Sequence, residues 1–259
     1  MKYIIEFITV VRNDQSSLIK TILSMDRVFK SFESHHTISH LIIDGDSSDN
    51  TVEILTNIIK TRKIFTRLIS EPDSGIYDAM NKGIQNSQGK TLLFLNAGDI
   101  LCEQVNVETL IRDALYMLNN EKVAVTAYSA LLSFPRKNIH IKSRCITKSD
   151  PRMPSIHQSL LYKRDILSNN LYDISFCVCG DYEQFCRMYS TGAKVVISDM
   201  VLANFFSGGV STQKPLVLFR ESTSISEKYF KLSLFRKLFI RSRLIASLIV
   251  FRLLHRLYS

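Results

Sequence analysis

Three carboxylates stand where short apolar segments run out: Asp44 closes ISHLIID, Asp73 follows FTRLISEP, and Asp99 follows TLLFLNAG. Acids gathered at one place repel unless a cation or hydrogen-bond donors sit among them. A hard divalent ion takes oxygen ligands of this kind and can neutralise a phosphate leaving group. A fourth acid, Asp181, follows Gly180 where a helical pattern begins, a position that suits an N-cap. The thiols offer no rival chemistry. Cys177 and Cys179 form C-x-C, which is neither a zinc ribbon nor a redox motif, and the five cysteines read as buried thiols of a reducing compartment. No Ser or Cys sits in a recognisable nucleophile elbow.

Such acids converge only if the elements that carry them run side by side. Ile4–Val11 reads as a strand, and Leu18, Ile22, Met25, Phe29 and Phe32 give the following helix its apolar spacing. Ile38–Asp44 is a second strand, Val52–Ile59 a second helix and Phe65–Ile69 a third strand. In Glu71-Pro72-Asp73-Ser74-Gly75 the proline breaks any helix, and a helix opening after Gly75 sets Asp78 and Lys82 one turn apart. Thr91–Leu95 is a buried fourth strand. Strands alternating with helices predict a parallel sheet with covered faces, whose carboxyl edge gathers the acids and is where ligands bind. Further on, Val107–Leu118 predicts a helix, Val123–Tyr128 a strand, Ala130–Thr147 hairpin pieces, Tyr182–Ser190 a helix and Lys194–Ile197 a strand.

Five segments, in order, resemble the family 2 inverting glycosyltransferases of the bacterial surface-polysaccharide branch. They are FITVVRND (Phe7–Asp14), IDGDSSDNT (Ile43–Thr51), EPDSGIYDAMNKG (Glu71–Gly83), LNAGD (Leu95–Asp99) and GDYE (Gly180–Glu183). The resemblance covers about the first 210 residues. It implies a GT-A-type nucleotide-sugar-binding fold, α/β, with a mostly parallel central sheet flanked by helices. It also implies a nucleotide-diphospho-sugar donor, bound around Val11, Asn13, Asp44, Asp73, Asp78, Lys82, Asn96 and His157. Asp44 would accept a hydrogen bond from the base. Asp78 and Lys82 read equally as a surface ion pair. The pair His157-Gln158 resembles a recurrent one near donor phosphate or acceptor, with His157 reading equally as a structural residue. Asp99 would hold Mn2+ or Mg2+, and Asp181 would be the catalytic base. The sequence departs from the family at Gly98, where many members carry a second acid, and at Asn96, which replaces an acid of some relatives. Asp99 with phosphates and water would then be the metal's surroundings.

At 259 residues with 46% hydrophobic and 22% charged residues, the chain can bury a sizeable core. The net charge of +9 is concentrated in the tail. Glu227–Ser259 carries eight Lys or Arg against one acid, and the near-neutral remainder argues against nucleic acid. Two units follow: residues 1–226 as the glycosyltransferase domain and 227–259 as a basic, apolar helical tail. Leu244–Phe251 is eight uncharged residues, roughly 12 Å of helix, too short to cross a bilayer of about 30 Å. Docking on the inner face of the cytoplasmic membrane is the reading, with a packed basic helix pair as its rival. Ile4–Val11 lacks the features of a signal peptide, so a cytoplasmic, peripheral protein is expected. A UDP-sugar donor and a lipid-linked (polyprenyl-diphosphate) sugar acceptor complete the expectation, with Glu183 as fallback base. The rivals are a nucleotidyltransferase, which would want glycine and basic residues in the loop at Val11–Asp14, and a non-enzymatic basic module binding membrane or nucleic acid.

Overall fold

The apolar runs become strands of one nine-stranded sheet. The computed structural model describes residues 3–32, 37–134, 136–147, 152–206 and 213–230, with scattered positions between 233 and 250. Strands β1 (Tyr3–Val11), β2 (Ile38–Asp44), β3 (Phe65–Ser70) and β4 (Gly89–Phe94) alternate with helices α1 (Gln15–Val28), α2 (Thr51–Ile59) and α3 (Ile76–Asn86). They lie in the order β3-β2-β1-β4, all parallel, so their carboxyl ends share one edge. β2 is buried throughout, because helices cover both faces of a parallel sheet.

Beyond β4 the pattern changes. A two-residue β5 (Ile100–Leu101), helix α4 (Val107–Leu118) and the hairpin of β6 (Val123–Phe134) and β7 (Lys137–Ile141) come first. After them come β8 (Leu160–Lys163), α5 (Arg164–Ser168), α6 (Gly180–Ser190), β9 (Lys194–Phe206) and α7 (Pro215–Tyr229). β8 inserts antiparallel between β4 and β6, and β6 runs parallel to β9. The sheet is therefore parallel in its amino-terminal half and mixed in the other. β6 and β9 are longer than the sequence suggests, since each continues through a polar break (Ser129; Ser198-Asp199) and pairs with the other beyond it. The short β5, α5 and the whole of α7 carry no clear periodicity and were not expected from it.

Two buried polar networks hold the parallel half together. Thr9 donates to the Leu95 carbonyl (2.7 Å) and sits 2.8 Å from His40 Nε2, while Arg62 lies 2.8 Å from His40 Nδ1. With Thr9 already donating, Nε2 carries the proton and Nδ1 accepts from Arg62, so this His is neutral; burial holds its pKa well below the usual value. At the opposite edge from the acids, Glu6 accepts from the Gln88 and Gly89 amides and pairs with Arg67 at 3.1 Å.

α7 runs to Tyr229, across the boundary at 226/227 expected from charge, and Phe230 is buried beyond it. The Gly208-Gly209 turn and half of the Leu244–Phe251 run lie outside the described residues. Among those described, no helix is long and apolar enough to cross a membrane.

Candidate active site

The loops after β1 and β2 are tied to each other before any ligand is considered. Asn13 and Asp46 both take left-handed backbone (φ 51° and 61°), uncommon for residues other than glycine and favoured by Asn and Asp. The Asn13 amide donates to Ser47 Oγ (2.8 Å), and Asn13 Oδ1 accepts from the Ser48 amide (2.7 Å). Asp44 is fully buried and accepts from the Ser47 amide (3.0 Å), Ser47 Oγ (2.5 Å) and Ser70 Oγ (2.7 Å). Its carboxylate thus fixes the shape of this loop and joins it to the end of β3.

Asp73 arrives from β3 at the same place. Its Oδ1 accepts from the Gly75 amide at 2.9 Å, and its Oδ2 occupies the space a Cβ on Gly45 would need, 2.1 Å away. Arg12 Cδ is 3.4 Å from that same point, so Arg12, Gly45 and Asp73 form one wall. Asp78 and Lys82 hold the intervening turn. Asp78 accepts from the Ser74 amide (2.9 Å), and Lys82 reaches the Pro72 carbonyl (2.5 Å), Glu71 (3.2 Å) and Asp78 (3.8 Å).

Asn96 to Asp99 forms the third loop. Gly98 has φ +97°, a conformation glycine takes without strain and a second acid there would not. Thr21, buried on α1, organises the loop. It donates to the Asp99 carbonyl (2.8 Å) and the Asn96 carbonyl (3.2 Å), and accepts from the Gly98 amide (3.0 Å). Asn96 Oδ1 is buried with no hydrogen-bond partner among the described residues. Asp99 is 9% exposed, and burial pushes its carboxyl up to about 7 despite a hydrogen bond from Gln158. No group of three or more His, Cys, Asp or Glu converges as a metal cage among the described residues. A lone buried carboxylate with its charge left costly does fit a cation that arrives with phosphate oxygens of its own.

Gln158 reaches Asp99 because a single 3-10 turn, His157–Ser159, precedes β8. The same turn drives His157 into the core, its ring 5.0 Å from that of Phe94 and its Nε2 3.4 Å from the Tyr172 hydroxyl. Burial pushes His157 down to about 4, so it is neutral. Of the pair His157-Gln158, the glutamine is the residue that contacts a site acid.

Asp181 lies in the first turn of α6, whose N-cap is Cys179; its Oδ1 accepts from the Tyr182 amide at 2.9 Å. Burial pushes Asp181 up to about 6, partly offset by hydrogen bonds from backbone amides and from Tyr77. A carboxylate tuned toward neutral pH is what a general base requires. Tyr77 lies in the first turn of α3, directly after the Asp73–Gly75 turn, and donates to the Val178 carbonyl at 2.7 Å, so the loop after β3 and the turn before α6 touch. Glu183 is 2% exposed and committed elsewhere: it pairs with Arg187 (3.2 Å) and Lys228 (3.8 Å) and accepts from the Tyr229 hydroxyl.

Residues 6–180 match the family described as Glycosyl transferase family 2. The chain belongs to this family. The family 2 match ends at Gly180, one residue before Asp181. A PGL/p-HBAD biosynthesis glycosyltransferase of Mycobacterium bovis is 28% identical over 179 residues, 66% of each chain, so the alignment spans just under two thirds of that relative. An uncharacterized glycosyltransferase of Mycobacterium tuberculosis is 36% identical over 95 residues, 37% of this chain and 34% of its own. Among solved structures, Staphylococcus aureus TarS 1-349 in complex with UDP superposes with a TM-score of 0.64 at 14% identity, covering 96% of this chain and 71% of that one. The mannosyltransferase PcManGT from Pyrobaculum calidifontis, in complex with GDP-Man and Mn2+, gives 0.62 at 13%, covering 88% and 64%. At such identities the likeness is one of fold, and the fold of this family 2 chain is the GT-A type.

The sequence singled out Val11, Asn13, Asp44, Asp73 and Asp99, and the structure sets all five in loops or strand ends of one sheet edge. It did not single out Thr21, Tyr77 or Glu221, whose contacts span from 42 to 101 positions along the chain. Gly45 gave a usable signal, being a glycine immediately after a strand-ending acid.

Proposed function

We propose that this protein is an inverting glycosyltransferase that moves a hexose or N-acetylhexosamine from a UDP-sugar to a lipid-linked sugar in surface-polysaccharide synthesis. One observation carries the reading. A carboxylate raised to about 6, Asp181, touches through Tyr77 the element that follows the acid-lined loops. The proton acceptor and the diphosphate site of this reading lie on adjoining elements, which supports their acting together.

In this reading the acceptor hydroxyl donates its proton to Asp181 as its oxygen bonds to the anomeric carbon. The bond from that carbon to the diphosphate breaks on the opposite face, and the nucleoside diphosphate leaves with the electron pair. Asn13, Asp44 and Asp73 shape the nucleotide side, with Arg12 in the same wall. Asp99 would hold Mn2+ or Mg2+, which when bound supplies positive charge to the leaving diphosphate. The support for a nucleotide-sugar and a metal is the family membership together with the UDP and the GDP-Man and Mn2+ held by the two structural neighbours.

In this reading the body runs past 226/227 to Phe230, and the tail lies beyond it. Large apolar side chains are exposed at tail positions four apart: Leu234 (74%) with Leu238 (56%), Phe235 (80%) with Phe239 (56%), and Ile245 (49%) with Ile249 (54%). Interspersed with Lys and Arg, they suit a helix lying in the headgroup region of the inner face of the cytoplasmic membrane, where a polyprenyl-diphosphate-linked acceptor would reside. The test is a thermal-shift screen of UDP- and GDP-sugars with and without Mn2+. Stabilisation by a UDP-sugar that needs the metal is expected; indifference to every nucleotide sugar overturns the proposal.

A further inference from the structure

The turn Cys177–Cys179 that delivers Asp181 is held by a single carboxylate on another element. Glu221 of α7 accepts from the amides of Cys177 (2.9 Å), Val178 (3.0 Å) and Cys179 (2.8 Å). Three backbone donors converging on one carboxylate are a strong, orienting arrangement, because hydrogen bonds to an ionised acceptor are shorter and firmer than neutral ones. The fourth constraint comes from the opposite side, where Tyr77 donates to the Val178 carbonyl at 2.7 Å. Gly180 then passes so close to Tyr77 that a Cβ there would meet its ring at 2.7 to 2.9 Å. The turn is thus clamped between α7 and α3, with no slack at the residue preceding Asp181.

α7 is itself seated on α6. Ile225 and Phe230 pack with Cys179 and Cys186, the Cys179 thiol lies 3.7 Å from the Leu218 carbonyl, and Glu183 of α6 returns the contact through Lys228 and Tyr229. The two helices exchange carboxylates: Glu221 reaches toward the start of α6, and Glu183 reaches toward the end of α7.

We propose that Glu221 is a positioning residue for Asp181, holding the 177–179 turn so that the base faces the acceptor hydroxyl. The inference rests on the reading of Asp181 as the base, made above, and adds a residue beyond the region that matches the family. The titratable groups around Asp181 are Tyr77, Tyr162, Tyr172, Cys179, Cys186 and Glu221. Of these, the Glu221 charge raises Asp181 and the Tyr77 hydrogen bond lowers it.

The test uses the full chain as wild type and as Glu221→Gln, Glu221→Ala, Tyr77→Phe and Asp181→Asn. Amide hydrogen exchange over residues 177–183 should accelerate at least tenfold in Glu221→Ala and less in Glu221→Gln, which keeps an acceptor oxygen. Carbon-13 titration of the Asp181 carboxyl, assigned by its loss in Asp181→Asn, should move down in Glu221→Gln and up in Tyr77→Phe. Turnover, read as UDP or GDP release from a panel of UDP- and GDP-sugars with bacterial membrane lipid extract as acceptor, should fall about 10–10²-fold in Glu221→Ala with donor KM within twofold. Unchanged exchange in Glu221→Ala, or faster exchange with wild-type turnover, overturns the proposal. An Asp181 titration that does not move in Glu221→Gln also overturns it, and this measurement stands if Glu221→Ala fails to fold. Full turnover in Asp181→Asn would instead remove the base reading on which the proposal rests, and that result is separate from any given by the Glu221 variants.

Discussion

The two halves of the site are built on different principles. On the proposed donor side, Asp44, Asp73 and Asp78 are fixed by residues close in the chain or on the adjacent strand (Ser47 and Ser70, Gly75, and Ser74), while Asp99 takes its hydrogen bond from the distant Gln158. On the proposed base side, the turn leading into Asp181 is fixed from 42 to 44 positions away by Glu221 and from 101 positions away by Tyr77. Parallel strands supply the first kind of order automatically, since their loops emerge at one edge. The second kind needs packing of α6 against α7 and α3. The loops of Asp44, Asp73 and Asp78 should therefore tolerate damage to the carboxyl-terminal half, whereas the turn before Asp181 should not.

The largest expected effect is on chemistry alone. Asp181→Asn keeps the shape of the side chain and removes the proton acceptor, so kcat should fall about 10²–10⁴-fold with donor KM unchanged. Initial rates across donor concentrations check this, and a fall in donor affinity instead would move Asp181 to the nucleotide side. Asp99→Ala should act on the other half, lowering metal affinity about 10–10²-fold with the fold intact. Rates titrated at limiting Mn2+ measure it, and wild-type dependence on Mn2+ would exclude Asp99 as the ligand.

Two glycines sharpen the contrast between the halves. A Cβ at Gly45 would collide with Asp73 Oδ2, the end of a side chain that can swing away, whereas one at Gly180 would meet the Tyr77 ring, locked between Val178 and the core. Gly180→Ala should therefore cut kcat about tenfold or more, while Gly45→Ala should mainly raise donor KM. The reverse pattern would show that the donor loop is the less forgiving of the two.

The same contrast explains what could be read beforehand. Alternating apolar runs and strand-ending acids such as Asp44 and Asp99 announced the parallel half almost residue by residue, because burial on both faces leaves a strong local pattern. Nothing near Glu221 marks it as more than an exposed acid of a weakly patterned helix, since its partners are backbone amides that carry no side-chain signature. His157 was legible only as an even choice between a structural and a ligand role, since nothing local tells that the 3-10 turn sends His157 inward and Gln158 to Asp99.

Stability should report the cost of the base side. Asp181 is raised by burial, so the protein is more stable where this group is protonated, below about pH 4, and loses that contribution as pH rises through about 6. Asp181→Asn removes the ionisation and should be more stable than wild type at pH 8. Because Asp181 is only partly buried, the gain is set at roughly 1–2 kcal/mol, vanishing at pH 4. Urea melts at the two pH values decide it, and an equal difference at both would mean that burial is not the cause.

The smallest effect on the site should come from the tail, and only if the cut respects α7. Removal from Glu227 onward, where the charge pattern changes, would take away Lys228 and Tyr229, which hold Glu183, and so would disturb the base side. Removal after Phe230 keeps those contacts and the packing of Ile225 and Phe230 on Cys186. Donor affinity should then change less than twofold, since the hydrogen bonds described for the acid-lined loops come from residues before 160. Binding to anionic vesicles should weaken strongly, because each basic residue near such a surface contributes on the order of 1 kcal/mol within a Debye length of about 8 Å. In the intact chain this binding should decline with salt yet persist, because Leu234, Phe235 and their neighbours add apolar burial that salt does not screen. Co-sedimentation with vesicles at low and high salt, before and after the cut, separates the contributions. If the shortened chain sediments as well as the full one, the membrane contact belongs to the body, and the division at Phe230 has no functional meaning.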